Sequence, residues 1–185
     1  MVYKVAIVGH SQVPLHFPDI PDVEVRIFRK SGAKLSDFHN YREFQQVFTW
    51  PHQHTIIFMG GNDIGVGPNR WSPQRIATFL IRICWNFKDF GNTVSLVLIE
   101  PRTYFSDYVH NLYHKQAEKI NRRLKRYSQH SEAPYHTINF NAVPFQQGHT
   151  IDGTHFRPIT VQHIISKLQN AILWQKQKFD LRIQH

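Results

Sequence analysis

Short apolar segments recur along the chain and predict β-strands. Each is bounded by turn residues such as glycine, proline, asparagine or aspartate. Short apolar runs between turn residues are typical of parallel strands buried on both faces. The predicted strands are 2–8, 23–28, 55–59, 93–99 and 135–140.

Between these strands, apolar residues return every three or four positions, which predicts amphipathic helices. The clearest pattern runs from Ile76 to Phe90. It follows Ser72 and Pro73, residues that suit the N-cap and the first helical position, and it meets a helix-ending glycine at Gly91. The other predicted helices are a weaker one at 36–48 and two strong ones at 109–127 and 161–172. Residues 178–185 are expected to fray.

The alternation of strands and helices predicts an α/β fold with a parallel sheet wrapped by helices. We expect one domain over residues 1–185, a length that can bury a full hydrophobic core. This length leaves no room for a large cap domain, so we expect an open groove. In sheets of this kind, functional groups gather at the carboxyl ends of the strands.

The composition of the chain favours some classes of partner and excludes some kinds of site. The chain has 22 Lys and Arg residues against 13 Asp and Glu, a net charge of +9 with histidine neutral. A surface this basic favours polyanionic partners such as nucleic acid or anionic lipid. The single cysteine, Cys84, excludes an internal disulfide and a cysteine-based zinc site. The first residues lack the pattern of a signal peptide, and no apolar run is long enough to span a bilayer. We therefore expect an intracellular protein, cytoplasmic or nuclear.

Residues suited to nucleophilic catalysis follow the predicted strands. Ser11 comes after the first strand, Gly32 after the second and Asn62 after the third, while Asp152 and His155 precede the last helix. A serine nucleophile needs a base to take its proton and an acid to orient that base, which Ser11, His155 and Asp152 would supply. The backbone N–H groups of Ser11 and Gly32 and the amide of Asn62 are candidate donors to an oxyanion.

The order of these blocks resembles the SGNH hydrolases, also called GDSL esterases. The matching blocks are Gly9-His10-Ser11, Gly32, Gly60-Gly61-Asn62-Asp63 and Asp152-Gly153-Thr154-His155. The resemblance spans nearly the whole chain, and it implies a three-layer α/β/α, flavodoxin-like fold with a five-stranded parallel sheet.

The resemblance also implies a function. It implies an esterase acting through an acyl-enzyme, with Ser11 as nucleophile, His155 as base and Asp152 orienting that base. Ser11, Gly32 and Asn62 would form the oxyanion hole, and no metal or organic cofactor is implied. The expected substrate is a small carboxylic ester with a short acyl group, such as acetyl.

One residue departs from the family pattern. The family usually has aspartate between the glycine and the serine, where this chain has His10. A histidine here would alter the loop geometry or the local charge. The alternative function is therefore a catalytically degenerate SGNH-fold module that serves as a basic, nucleic-acid-associated interaction domain. The basic, cysteine-poor chain also resembles the esterase domains found in proteins of retrotransposons and other mobile elements.

A row of cations marks the third predicted helix. Its spacing of four, three and four residues places these side chains on one helical face, away from the apolar stripe. We call this row the basic stripe; it consists of Lys115, Lys119, Arg122 and Arg126. It is either an ordinary solvated surface or a phosphate-binding face.

Histidine pairs raise the possibility of a metal site. His110 and His114 are four residues apart, and His52 and His54 are two apart. Neither pair has a nearby third ligand of clear type, so we predict no metal site. The sequence makes no prediction of the oligomeric state.

Overall fold

The computed structural model of the chain describes residues 1–65, 70–102, 104, 106–140 and 156–184. Its centre is a five-stranded sheet with the strand order β2-β1-β3-β4-β5. All four neighbouring pairs are parallel, as predicted. The strands are β1 (Tyr3–Gly9), β2 (Val23–Arg29), β3 (His54–Phe58), β4 (Thr93–Val97) and β5 (His136–Ile138).

Helices connect the strands. Two short 3₁₀ turns, Leu35–Phe38 and Gly61–Asp63, follow β2 and β3. The helices are α1 (Arg42–Thr49), α2 (Pro73–Asp89), α3 (Asp107–Tyr127) and α4 (Pro158–Ile183). The predicted start of α2 is confirmed, because the Ser72 hydroxyl accepts a hydrogen bond from the Arg75 N–H and Pro73 is the first helical residue.

The sheet separates two hydrophobic clusters, because successive strand residues point to opposite faces. Along β1, Ala6 and Val8 contribute to the cluster that α1, α2 and α3 cover. Val5 and Ile7 contribute to the second cluster, which α4 covers. The predicted three-layer α/β/α architecture is therefore confirmed. Cys84 is buried inside the first cluster, as expected of a small apolar side chain.

Two local predictions are wrong. The single helix predicted over 36–48 is a 3₁₀ turn followed by α1, because Asp37 accepts hydrogen bonds from the Lys34 N–H and the Lys30 ammonium group. These bonds hold the chain in a turn. The tail predicted to fray is instead helical to Ile183. There Lys176 pairs with Asp180 at 2.6 Å, and the Phe179 ring packs against a tyrosine of β1. No helix within the described part of the chain is long and apolar enough to cross a membrane.

Candidate active site

The carboxyl ends of β1, β2 and β3 bring the first three sequence blocks to one edge of the sheet. Gly9 of β1 is in register with Arg29 of β2 and Phe58 of β3. Ser11, Gly32 and Asn62 therefore follow three adjacent strands within two to four residues of that level. The sheet topology places these blocks at the edge where α/β proteins bind ligands.

Hydrogen bonds tie the second block to the third. The Asn62 Nδ2 atom donates to the Ala33 carbonyl at 2.9 Å. In return, the Leu35 N–H lies 3.1 Å from both carboxylate oxygens of Asp63. Gly32, which precedes Ala33, has φ of +66°, a left-handed conformation that glycine adopts without steric cost. The loop carrying Gly32 is thus fixed to the turn carrying Asn62.

Hydrogen-bonding capacity remains at this edge. Within the described ranges, the backbone N–H groups of Ser11 and Gly32 donate no hydrogen bond. The amide nitrogen of Asn62 carries two hydrogens, and Ala33 accepts only one of them. Each of the three blocks therefore offers one N–H donor for a ligand.

The structure shows the surroundings of His10, the residue that departs from the family pattern. Its side chain is wholly buried, and its ring packs edge-on against Phe58 with centroids 5.1 Å apart. The Nδ1 atom accepts a hydrogen bond from the Gln12 N–H at 3.3 Å, which assigns the ring proton to Nε2. Nε2 lies 3.5 Å from Oε1 of Glu100. The residue before Ser11 is thus a buried histidine facing a carboxylate.

Sequence reasoning missed a buried ion pair at this edge. Arg102 donates from Nη2 and Nε to Oε1 of Glu100, at 2.7 and 3.1 Å. Burial opposes ionisation of Glu100, but Arg102 and His10 outweigh it and lower the pKa of the carboxyl to about 2. A signal was available, since both residues directly follow an apolar strand, the rule that identified Ser11 and Asn62.

The carboxyl of Asp63 has a raised pKa, in contrast to that of Glu100. Burial raises the pKa of its carboxyl to about 6, although the Leu35 N–H and the charge of Lys34 act against this shift. The folded protein therefore binds this proton more tightly than the unfolded chain does. This contribution to stability is fully present below the ordinary pKa of 3.8 and is lost as pH rises through about 6.

We accordingly expect Asp63→Asn to gain stability relative to wild type as pH rises from 4 to 7, with a plateau above that. The free energy of unfolding should rise by roughly 2–3 kcal/mol relative to wild type, or Tm by about 5–10 °C, because the variant has no carboxylate to desolvate. Thermal unfolding followed by circular dichroism at several pH values measures it. The exposed Asp19→Asn makes the same change of net charge and is the matched control. A difference independent of pH would contradict the assignment.

The predicted Asp152 and His155 lie outside the described residues, as does the rest of 141–155. The residues that flank this segment are buried at the same edge. Phe140 packs against Phe58 with ring centroids 5.3 Å apart, and Phe156 belongs to the same hydrophobic cluster. Val13, two residues after Ser11, is also part of that cluster.

The basic stripe lies on α3, and all four of its side chains are exposed, as predicted. Arg122 pairs with Glu118 at 2.7 Å. Three stripe residues line an open cavity of about 400 Å³. Arg123, Tyr127 and His130 complete its wall. Among the described residues, no group of three or more histidine, cysteine, aspartate or glutamate side chains is arranged to hold a metal ion.

No family model matches this chain, and no curated protein does. Solved structures do match it. A member of the lipolytic protein G-D-S-L family from Veillonella parvula has a TM-score of 0.69 at 16% identity, over 91% of this chain and 97% of that one. A GDSL-like lipase from Bacteroides thetaiotaomicron has a TM-score of 0.68 at 15% identity, over 93% and 88%.

An acetylxylan esterase, Axe2 from Geobacillus stearothermophilus, is similar over 92% of this chain and 94% of its own, with a TM-score of 0.67 at 10% identity. These names do not bear on the mobile-element interpretation, which stays a prediction. The α/β fold with its five-stranded parallel sheet agrees with the fold of these structures. The chain therefore has the fold of the SGNH hydrolases, as its sequence blocks predicted.

Proposed function

We propose that this chain is a serine ester hydrolase. The observation that carries the proposal is the presence of one N–H donor with unused capacity in each of three blocks, at the carboxyl ends of adjacent strands. Such donors stabilise the negative oxygen that forms when a nucleophile attacks an ester carbonyl. Ser11, Gly32 and Asn62 would provide them, and Ser11 would also supply the nucleophile.

The proposed reaction has two stages. His155 takes the proton of the Ser11 hydroxyl as its oxygen attacks the carbonyl carbon, and the three donors bind the resulting oxyanion. The carbon–oxygen bond to the leaving alcohol then breaks, and His155 returns the proton to that alcohol. Water attacks the acyl-enzyme in the same way and releases the acid. Asp152 orients the imidazole throughout.

The assignment of Asp152 and His155 rests on the sequence. The two residues are three positions apart, a spacing that lets an acid orient a neighbouring base, and they precede α4.

Small esters with short acyl groups, acetyl above all, are the proposed substrates. The similarity to an acetylxylan esterase favours acetyl. A panel of p-nitrophenyl esters of increasing acyl length tests this, together with a fluorophosphonate probe mapped by peptide mass spectrometry. We expect turnover to be highest for acetate and butyrate, with the label on Ser11. A folded protein that hydrolyses no ester and takes up no label would favour the catalytically degenerate module.

We also propose a second function, nucleic-acid association through the basic stripe. The exposure of all four cations, and the cavity that three of them line, favour it. Among the described residues, no exposed apolar face adjoins the stripe to insert into lipid, which favours nucleic acid over a membrane surface. An intracellular location, cytoplasmic or nuclear, stays a prediction.

Binding through the stripe should weaken steeply with salt. Four phosphate contacts give a slope of log K against log salt of roughly −3 to −4. Fluorescence anisotropy of a labelled oligonucleotide at several salt concentrations measures it, and changing the four stripe residues to Glu should abolish binding. A control with the same net charge reverses four exposed cations on or beside α4: Arg157, Lys167, Lys178 and Arg182. Equal losses in the two variants would leave the stripe an ordinary solvated surface.

A further inference from the structure

The amide of Asn62 is held at both ends. Its Oδ1 atom accepts a hydrogen bond from Nη1 of Arg102 at 2.9 Å, and its Nδ2 atom donates to the Ala33 carbonyl at 2.9 Å. A guanidinium group has only donors, so a flipped amide would set its NH₂ group against the N–H groups of Arg102. The contact with Arg102 therefore admits one orientation and fixes the direction of the second Nδ2 hydrogen.

Arg102 is itself immobilised. Its Nε and Nη2 atoms both bond Oε1 of Glu100, which leaves Nη1 for Asn62. The Tyr113 ring lies 5.5 Å from the guanidinium carbon, and the backbone carbonyl of Arg102 accepts a hydrogen bond from Nε2 of His114 at 2.7 Å. With its guanidinium group and backbone both held, the arginine has little freedom to follow a moving amide.

The ion pair lies directly against the turn that carries Asn62. A Cβ atom on Gly61 would stand 2.6 Å from both Nη2 of Arg102 and Oε1 of Glu100. Only a residue without a side chain lets the pair approach this closely. The same Oε1 atom lies 3.5 Å from His10, the residue before Ser11. One buried charge pair thus contacts two of the three donor segments.

A buried ion pair is weak evidence for stability, because desolvation of the two charges offsets much of their attraction. We propose instead that Arg102 is a positioning residue for ester hydrolysis, with Glu100 as the counter-ion that holds its guanidinium group. Arg102 acts through Asn62, by keeping one amide hydrogen directed at the oxyanion. This inference rests on the proposed esterase function and deepens it.

The central test is a double-mutant cycle between Arg102→Lys and Asn62→Ala. Lysine keeps a positive charge beside Glu100, but its single nitrogen cannot reproduce the fork that reaches both partners. In the wild-type background, Arg102→Lys should lower kcat about tenfold and change KM less than about twofold. In the Asn62→Ala background, it should change kcat less than about twofold, since the group it positions is gone. An equal loss in both backgrounds would overturn the proposal.

Two further variants provide a matched control and a substitute for Arg102→Lys. Arg26→Lys makes the same substitution at an exposed arginine that also lies over an aromatic ring, and it should leave kcat unchanged. If Arg102→Lys does not fold, the double variant Glu100→Gln/Arg102→Gln removes both charges at similar volume. It should show the same dependence on Asn62, and equal kcat losses with and without Asn62 would again overturn the proposal.

An NMR measurement separates this proposal from the esterase proposal. The side-chain NH₂ signals of Asn62 are assigned by their loss in Asn62→Ala, and Arg102→Lys should shift or broaden them while Arg26→Lys should not. If the wild type hydrolyses no ester but these signals respond, the positioning contact stands and the esterase proposal fails. If the wild type is active but neither the signals nor kcat respond, the positioning proposal fails alone.

Discussion

An alanine in place of Ser11 should reduce kcat for p-nitrophenyl acetate by roughly 10⁴–10⁶-fold and abolish fluorophosphonate labelling. Removal of a serine nucleophile leaves only the contribution of binding and of the oxyanion donors, which accounts for a loss of this size. The fold should survive, because Ser11 is a half-buried residue in the loop after β1 and contributes little to either core cluster. Initial rates and intact-protein mass spectrometry after labelling measure the two effects.

The control for Ser11→Ala is Ser131→Ala. Ser131 is exposed in the connection between α3 and β5, at the opposite edge of the sheet. This control variant should keep wild-type turnover and labelling. Turnover that survives in Ser11→Ala would mean that another residue is the nucleophile, or that a contaminating esterase is responsible. Either finding would remove the basis for the triad.

Asn62→Ala should lower kcat by roughly 10²–10³-fold and leave KM nearly unchanged. The oxyanion exists only after attack on the carbonyl, so a donor that binds it stabilises the transition state far more than the bound substrate. Steady-state kinetics with p-nitrophenyl acetate separate the two parameters. An effect confined to KM would assign Asn62 to substrate binding instead.

The control for Asn62→Ala must account for the hydrogen bonds that Asn62 makes with Ala33 and Arg102. Their loss is expected to lower the unfolding temperature, so kinetics are measured well below that temperature. Asn170→Ala, at an exposed position of α4, makes the same substitution far from the donor edge and should retain full activity. If both variants lost kcat equally, the effect would not be specific to the donor.

His10 is the residue at which the chain departs from the family pattern that its sequence blocks resemble. That pattern has an acidic residue at this position, whereas here a buried histidine faces the carboxylate of Glu100, which follows β4. That carboxylate is neutralised by Arg102, which in turn contacts Asn62. The substitution at His10 and the ion pair belong to one connected network.

Much of the fold could be predicted from the sequence, because its elements depend on local patterns. The four strands β1 to β4 begin and end within about two residues of the apolar runs that predicted them. α2 begins at Pro73, as the predicted N-cap Ser72 and the proline after it indicated. Parallel order followed from the alternation of strands and helices, and the strand ends then identified Ser11, Gly32 and Asn62 without any three-dimensional information.

The predictions that failed depended on partners distant in the chain or on side chains outside the apolar pattern. Asp37 breaks the helix predicted over 36–48 by binding Lys30 across the loop, and Phe179 holds the C-terminal turns of α4 against Tyr3 of β1. Periodicity cannot register such contacts, since it records only which face of an element is apolar. Hydrophobic periodicity therefore assigns a polar residue that interrupts the apolar pattern to the surface, even where the fold buries that residue.

The sequence by itself determined the layers and the sheet, and it placed Ser11, Gly32 and Asn62 directly after three strands, since hydrophobic periodicity and turn chemistry act over a few residues. Only the tertiary structure decided what surrounds the donors. Glu100 and Arg102 are separated by one proline in the sequence. Charged residues in such a loop are often exposed to solvent, yet both of these are buried. They are buried because the fold brings opposite charges, an amide oxygen and a glycine without a side chain to one place. A buried charge is tolerated only with such partners, and the fold alone supplies them.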